Sequence, residues 1–315
     1  MTRFLKTMLA FTTAGLMAAC GGGGGSSDHE NIAVVAQAQG FNALLAAVNK
    51  AGVAGALTDK NANLTVFAPT DAAFTQLANR LGFASAAAMV DALPAPVLAN
   101  ILTYHLLPDE KSAADLAAGG ATQGTLYSFG GSPATLSLNT TSGVAITDAA
   151  LTTARVTAAN VNASNGVIHA IDKVLVPPGV LNIVQMAQVN PLFDTLVGAV
   201  VAADLQGTLS GTGPFTVFAP TNGAFADIAS TVAGLTTPQL STVLTYHVLG
   251  SQVLAADIPF GTPVNTVAGQ PITINAGTPP TITDQTATPA PILATDVRAS
   301  NGVIHVIGKV LLPTL

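Results

Sequence analysis

The feature that most constrains this chain is a ten-residue segment that occurs twice. Residues 65–74 read TVFAPTDAAF and residues 216–225 read TVFAPTNGAF, so eight of the ten letters agree. A β-branched apolar run, a proline and a Thr-Asp or Thr-Asn pair predict a buried strand, a proline-centred bend and the start of a helix. The chain must therefore adopt a fold that uses this unit twice.

Two further landmarks recur in the same order. Leu-Thr-Tyr-His ends at His105 and again at His247, and Asn-Gly-Val-Ile-His begins at Asn165 and at Asn301. The matched landmarks lie 151, 142 and 136 residues apart, so the second copy is shorter by nine residues before the Tyr-His element and by six after it. A period this long indicates two tandem domains and not a solenoid of short repeats.

The order of patterns within each copy predicts an α+β fold with a largely antiparallel sheet, because helical patterns come first and strand patterns later. In the first copy, residues 31–178, we predict helices near 41–48, after 71, at 83–91 and at 101–106, and strands at 64–67, 134–138, 144–147, 156–161 and 167–176. In the second copy, residues 181–315, we predict helices at 181–187, 193–201 and 240–249, and strands around Ile272 and Ile292. Asn165-Gly166 and Asn301-Gly302 are predicted to form type I′ hairpin turns.

The beginning of the chain has the pattern of a secretory signal. Arg3 and Lys6 precede an apolar stretch, residues 8–19, which ends in two alanines before Cys20, the single cysteine. This ending resembles the lipobox of bacterial lipoproteins, which implies that residues 1–20 are a signal peptide and that Cys20 is lipidated. Residues 21–30, which open with five glycines and two serines, are predicted to be a flexible tether. Glycine after the cysteine resembles the outer-membrane sorting pattern, which implies the outer membrane or cell surface of a Gram-negative bacterium.

The composition argues against a nucleic acid as a partner and is typical of a secreted or envelope protein. Charged residues make up only 8% of the chain and the net charge is −6, with no basic run, so a nucleic acid is not expected as a partner. The glycine run is not a phosphate loop, because no strand precedes it and no Gly-Lys-Ser/Thr follows. No cofactor is predicted. Sparse charge with abundant alanine and threonine suits a secreted or envelope protein.

The matched histidines are the first candidates for chemistry, as metal ligands or general bases. No second histidine stands at helical ligand spacing and no His-Glu-x-x-His is present, so no metal site is predicted. His169 and His305 share strand faces with β-branched residues, which favours a structural role. For His105 and His247 we hypothesise that a neutral imidazole donates to a backbone carbonyl in the turn after the TVFAPT strand.

Covalent catalysis has no support in the sequence, since there is no Gly-x-Ser-x-Gly and the only cysteine lies at the terminus. We therefore predict no catalytic residues and no enzyme. Thr70 with Asp71, and Thr221 with Asn222, are predicted N-cap residues. Because Asp71 is matched by Asn222, the fold does not require a carboxylate there; a binding role for the exposed loop remains the alternative.

Together the three motifs resemble the fasciclin (FAS1) domain, and the resemblance covers both copies. It implies two tandem FAS1 domains, each a wedge-like sheet packed with helices, in a family of extracellular adhesion and matrix proteins. In that family the corresponding segments have been proposed to contact receptors. The candidate interaction or structural residues here are Thr65, Val66, Phe67, Pro69, Thr70, Asp71, Tyr104, His105, Asn165, Gly166 and His169, with Thr216, Val217, Phe218, Pro220, Thr221, Asn222, Tyr246, His247, Asn301, Gly302 and His305.

Two functional hypotheses follow. The first is a non-enzymatic, lipid-anchored adhesion protein whose partner is an extracellular or cell-surface protein or polysaccharide. The second is an envelope binding protein for a small apolar ligand, or a scaffold for another complex. An exposed apolar patch spanning both domains would favour adhesion, and a closed apolar cavity inside one domain would favour a carrier.

Overall fold

The computed structural model describes residues 30–315, which form two copies of one α+β unit. The predicted signal peptide, Cys20 and nearly all of the tether lie outside the described residues. Among residues 30–315 no single helix is long and apolar enough to cross a membrane. The consecutive helices Ala86–Ala92 and Ala95–Tyr104 meet that criterion only as a pair, and they are bent by 117°.

The first repeat, residues 31–178, contains seven helices and seven strands. Its helices are α1 (Ile32–Ala38), α2 (Asn42–Ala51), α3 (Ala54–Thr58), α4 (Asp71–Arg80), α5 (Ala86–Ala92), α6 (Ala95–Tyr104) and α7 (Ala113–Ala118). Its strands are β1 (Leu64–Pro69), β2 (Leu106–Leu107), β3 (Thr122–Phe129), β4 (Ser132–Asn139), β5 (Ala145–Thr147), β6 (Thr153–Ala163) and β7 (Gly166–Ile171).

The second repeat, residues 181–315, follows the same plan with shorter peripheral elements. Its helices are α8 (Ile183–Val189), α9 (Asp194–Ala202), α10 (Gln206–Leu209), α11 (Asn222–Ala226), α12 (Ala229–Ala233) and α13 (Thr237–Tyr246). Its strands are β8 (Phe215–Pro220), β9 (Val248–Leu249), β10 (Pro263–Asn265), β11 (Pro271–Asn275), β12 (Thr281–Thr283), β13 (Ala290–Ala299) and β14 (Gly302–Ile307). Short 3-10 turns occupy Pro191–Phe193 and Ala255–Asp257.

Each repeat builds one seven-stranded mixed sheet with the same strand order. The order is β2-β1-β7-β6-β5-β4-β3 in the first repeat and β9-β8-β14-β13-β12-β11-β10 in the second. Only the central pairs, β1 with β7 and β8 with β14, are parallel. The predicted α+β class is confirmed. All six residues of β1 and of β7 are buried, because apolar layers cover this central pair on both faces.

Two apolar layers explain this burial. One face of the central strands packs on the helices, and this core runs through both repeats without a break; Val174 and Val176 of the first repeat share it with Val189 of the second. On the other face the sheet encloses a smaller core in each repeat, built around Phe67 and Phe218. The two domains therefore share buried apolar surface at their junction.

The predicted proline-centred bend is displaced by one residue. Pro69 is the last residue of β1 and pairs with Ile171, and the chain turns at Thr70. Phe67 N–H donates to His105 O on the β2 side, so the proline nitrogen two residues later faces the same side, beyond the end of β2. Pro69 consequently removes no ladder hydrogen bond.

Three predicted boundaries are wrong. The helices expected to reach Leu106 and Leu249 end at Tyr104 and Tyr246, and two-residue strands follow them. Strand β7, expected to reach Val176, ends at Ile171. At the two helix ends the apolar residues continue, but a tertiary contact redirects the chain, because the carbonyls of His105 and His247 accept from the adjacent central strand. After β7 the chain continues with the charged residues Asp172 and Lys173 before the apolar run resumes at Val174. Apolar periodicity alone does not mark such a departure.

The predicted hairpins exist, but their turns lie one residue earlier and are not type I′. Ala163 pairs with Gly166, so the two-residue turn is Ser164-Asn165, and neither has a positive φ. Gly166 itself has φ 146°, and β7 passes so close to β1 that a Cβ there would lie 2.1 Å from Leu64 O. The glycine is needed for this backbone conformation and for the close approach, and not for a type I′ turn.

The sequence patterns missed strand β3. Its inward-facing positions include Gln123 and Thr125, which are buried but polar, and Gly124 lies between them. Gln123 accepts from the ammonium of Lys111, and the Thr125 hydroxyl donates to Ala134 O at 2.8 Å. Apolar alternation is therefore broken in a strand whose buried polar groups are satisfied by hydrogen bonds.

Candidate functional site

The three repeated motifs meet at the central parallel strands. Phe67 of β1 lies beside His169 of β7, and Phe218 of β8 lies beside His305 of β14, in the same register. The ring centroids are 5.9 Å apart in the first repeat and 5.6 Å apart in the second. All four side chains are at most 1% exposed, so the motifs converge inside the protein and not on its surface.

His105 and His247 bind backbone groups through both ring nitrogens. His105 Nδ1–H donates to Ile101 O at 2.7 Å, and Nε2 accepts from Leu175 N–H at 2.9 Å. In the second repeat His247 makes the same pair of bonds with Val243 O, at 2.7 Å, and Leu311 N–H, at 2.8 Å. Because the second partner is a donor, Nε2 must be unprotonated and the ring neutral.

The hypothesis that these rings donate to the turn after the TVFAPT strand is therefore wrong. Each ring instead ties the end of its helix to the segment that leaves the last strand, residues 172–176 or 308–312. The link to the TVFAPT strand is made by the histidine backbone, since His105 O accepts from Phe67 N–H at 2.9 Å. Burial lowers the pKa of both histidines to about 4, so they stay neutral at physiological pH.

His169 and His305 are also fully engaged. His169 Nε2–H donates to Lys111 O at 2.9 Å, and Nδ1 accepts from Asn160 N–H at 3.3 Å. His305 makes the matching bonds with Val253 O and Asp296 N–H. Asn160 and Asp296 have φ of 59° and 61°, which places them at the bulge in the long strand that each histidine contacts.

The hydroxyl side chains of the motifs bind backbone groups as well. Thr65 Oγ1 donates to Asp109 O at 2.7 Å and accepts from Lys111 N–H at 2.8 Å. Thr216 does the same with Ser251 O and Val253 N–H. The phenol groups of Tyr104 and Tyr246 donate to carbonyls of the facing strand, Thr135 O and Pro271 O, both at 2.9 Å. Burial raises the pKa of both tyrosines.

Asn165 connects parts of the chain that are far apart in sequence. Its Oδ1 accepts from Ile32 N–H at 2.9 Å at the start of α1, and its Nδ2 donates to Leu57 O and Asp59 O, both at 3.0 Å. Asn301 makes the same three kinds of bond, with Ile183 N–H, Leu209 O and Gly211 O. Only an amide supplies both an acceptor and two donors here.

The Thr-Asp and Thr-Asn pairs divide their work between two helices. Thr70 and Thr221 are the N-caps of α4 and α11, as predicted. Asp71 and Asn222 instead bind the first turn of an earlier helix, α2 or α9: Asp71 Oδ1 accepts from Ala43 N–H at 2.8 Å, and Asn222 Oδ1 accepts from Thr195 N–H at 2.9 Å. Both side chains offer this oxygen, which explains why aspartate and asparagine interchange.

The sequence patterns missed a matched pair of buried carboxylates, Asp148 and Asp284. The signal was present, since Ile-Thr-Asp ends at both positions, 136 residues apart like the Asn-Gly-Val-Ile-His motif. The carboxylate of Asp148 accepts from the backbone N–H groups of Ala150, Thr152 and Val176 and from the Thr152 hydroxyl. Burial raises its pKa to about 6, although these bonds oppose the shift.

Asp284 differs because a lysine neutralises it. Lys309 Nζ donates to Asp284 Oδ2 at 2.8 Å and to Thr288 O at 2.7 Å. Burial raises the pKa of Asp284, but the hydrogen bonds from Lys309, Thr286 and Leu312 outweigh burial and hold it below its usual range. The corresponding lysine of the first repeat, Lys173, makes no ion pair with any carboxylate of residues 30–315.

The junction between the repeats is held by polar contacts in addition to the shared core. Arg80 at the end of α4 forms an ion pair with Asp194 at the start of α9. Asn190 Nδ2 donates to Ala150 O at 2.8 Å, and Gly179 N–H donates to Arg298 O at 3.0 Å. Beside the ion pair, α4, residues 173–176 and the end of α8 border an open groove of about 480 Å³. We call this the junction groove.

Within residues 30–315 no group of three or more histidine, cysteine, aspartate or glutamate side chains could hold a metal ion. The strongly repeated polar side chains are instead bonded inside the fold. The arrangement is that of a structural framework, and the surfaces open to a partner lie around it.

Comparison with known proteins agrees with these motifs. The family model of the fasciclin domain matches residues 39–177 and 191–313. The chain belongs to the fasciclin domain family. It contains two tandem FAS1 domains, each a mixed sheet packed with helices.

Relatives with this domain come from varied sources. Protein sll1483 of Synechocystis sp. is 44% identical over 140 residues, which are 43% of this chain and 75% of that protein. Uncharacterized protein sll1735 of the same organism is 41% identical over 134 residues, which are 42% of this chain and 97% of that protein. Fasciclin-like arabinogalactan protein elcF of Phaeosphaeria nodorum is 29% identical over 259 residues, which are 79% of this chain and 78% of that protein.

Among solved structures, the chain is similar to a FAS1 domain pair from the insect cell adhesion molecule fasciclin I. The TM-score is 0.45 at 18% identity, and the alignment covers 88% of this chain and 98% of that chain. No enzyme family is indicated by any of these matches.

Proposed function

We propose that this protein is a non-enzymatic attachment protein of the bacterial surface, anchored by lipid at Cys20 and presenting two FAS1 domains to an extracellular protein or polysaccharide. The observation that carries the proposal is the pair of domains of the fasciclin family, whose members include adhesion and extracellular interaction proteins. The lipobox-like ending before Cys20 and the glycine-serine tether support anchoring at the outer membrane.

The bonding inside each domain limits where a partner could bind. The Tyr-His pairs and the central strands are buried, so a partner would meet the exposed sheet faces, the loops and the junction groove. We therefore assign the repeated motifs to fold maintenance and the attachment role to the surfaces around them.

A closed apolar cavity would have favoured the alternative of a small-ligand carrier. Each repeat has a small apolar cavity beside its buried histidine, bordered by matched residues such as Ile32 and Ile183. The volumes are about 20 Å³ and 30 Å³. Ligand sites occupy roughly 300–1,000 Å³, and a volume of about 30 Å³ is close to that of one water. These cavities do not support an enclosed carrier site.

The proposal is tested by deleting the gene and measuring attachment or biofilm formation. The deletion strain is complemented with the wild-type chain, with Cys20→Ser and with Lys60→Gln, an exposed charge change that serves as the control. We expect the deletion to reduce attachment, Lys60→Gln to restore it, and Cys20→Ser to release the protein into the medium without restoring it. Normal attachment by both the deletion strain and the Cys20→Ser strain would refute the proposal.

A further inference from the structure

The junction groove has a buried apolar floor and an exposed polar rim. Leu77 of α4, Val174 and Val176 after β7, and Val189 at the end of α8 border it and are all less than 10% exposed. Gln76 and Asn79 are exposed on the rim. Its volume, about 480 Å³, lies within the range of small-molecule sites, roughly 300–1,000 Å³.

The charged side chains that border this groove are both cationic. They are Lys173 and Arg80, and no carboxylate is among the bordering residues. Arg80 shares Nη1 with Asp194, but a guanidinium has five N–H donors, so others stay available to a ligand. Lys173 is paired with no carboxylate of residues 30–315. An anion bound at this rim would therefore gain charge complementarity.

Comparison of the two repeats shows that Lys173 does not bind the buried carboxylate of its own repeat, whereas the matching Lys309 does. At the matching position in the second repeat, Lys309 is bound to Asp284 and to Thr288 O. In the first repeat the buried carboxylate of Asp148 is satisfied without a lysine, by three backbone N–H groups and a threonine hydroxyl. The same lysine consequently borders the groove.

From these features we propose that the junction groove binds a small aliphatic carboxylate. The carboxylate lies against Lys173 and the free side of Arg80, and the hydrocarbon body covers the apolar floor. A short anion without a hydrocarbon body leaves the floor hydrated, and an uncharged alcohol leaves the lysine unpaired. Both therefore bind more weakly. This proposal goes beyond the attachment role, and its test does not depend on the outcome of the attachment assay.

The experiment uses the two-domain protein, residues 30–315. It is titrated with octanoate, acetate and 1-octanol as probes. Binding is followed by calorimetry and by backbone amide shifts in NMR. We expect octanoate to saturate with shifts concentrated at Val174, Val176 and Thr152, which border the groove. Equal affinity for 1-octanol and octanoate, or shifts located elsewhere, would overturn the proposal.

Charge variants make the test specific. Lys173→Gln should weaken octanoate binding about five-fold, as expected for loss of one partly exposed ion pair. Lys173→Arg should retain most of the affinity, and Lys60→Gln, outside the groove, should match the wild type. Unchanged octanoate affinity in a folded Lys173→Gln protein contradicts the assignment, as does an equal loss in Lys60→Gln.

Discussion

Replacing His247 with phenylalanine tests the role assigned to the buried histidines. The change keeps an aromatic ring but removes the donor to Val243 O and the acceptor for Leu311 N–H. The Leu311 N–H is then left unpaired in a buried segment, and an unsatisfied buried group costs about 1–3 kcal/mol. With the lost bond to Val243 O, we expect a loss of roughly 2–4 kcal/mol at neutral pH.

A loss of that size should lower the melting temperature of the second repeat by about 6–12 °C, measured by scanning calorimetry. Hydrogen exchange should quicken at Leu311 N–H, while the turn that begins at Thr221 stays protected. His105→Phe is the matched control, because it should destabilise the first repeat and leave exchange at Leu311 unchanged.

The difference between wild type and His247→Phe should also depend on pH. Burial lowers the pKa of His247 to about 4 in the folded state, against about 6.5 unfolded. Because the histidine binds a proton more weakly in the folded state, it contributes its full stability above the unfolded-state pKa. That stability is lost as pH falls from the unfolded-state pKa towards the folded-state pKa. The wild type should lose roughly 2–3 kcal/mol from this group between pH 7.5 and 4.5, and the variant should not. An unaltered melting temperature at neutral pH, or a stability gap that does not shrink on acidification, would refute the role given to His247.

Three further predictions concern capping, close approach and acid. Asp71→Asn keeps the oxygen that accepts from Ala43 N–H and should change the free energy of unfolding by under about 1 kcal/mol, whereas Asp71→Ala should cost about 1–2 kcal/mol in urea denaturation. Gly302→Ala would place a Cβ 2.1 Å from Phe215 O and should cost about 2–5 kcal/mol. Its control, Gly198→Ala in α9, has open space and should stabilise by about 0.5–1 kcal/mol; equal effects of the two changes would contradict the packing. Acid should unfold the second repeat before the first. Because burial raises the pKa of Asp148 to about 6, protonation of this carboxylate stabilises the first repeat as pH falls from 6 towards 4. This gain offsets the stability that the first repeat loses at His105 over the same pH range. Hydrogen exchange resolved by repeat at pH 7 and pH 4.5 checks this order, and earlier opening of the first repeat would contradict it.

Much of the architecture was predictable from the sequence. The recurrence of TVFAPT and of Asn-Gly-Val-Ile-His indicates two domains, since each motif needs its own partner strand. Their β-branched runs predict central strands, and Thr70 and Thr221 predict helix starts. These features depend on neighbours close in the chain, where residue type alone sets the preference.

Only the tertiary structure decided which groups the repeated polar side chains bind. Asn165 reaches Ile32, 133 residues away, and the ring of His105 reaches Leu175, 70 residues away. Nearly all these partners are backbone N–H and C=O groups. Every residue carries a C=O, and every residue except proline carries an N–H, so the sequence holds no mark of which one will be bound. The repetition of these polar residues indicates that each makes a hydrogen bond, but only the folded structure shows which backbone group is its partner.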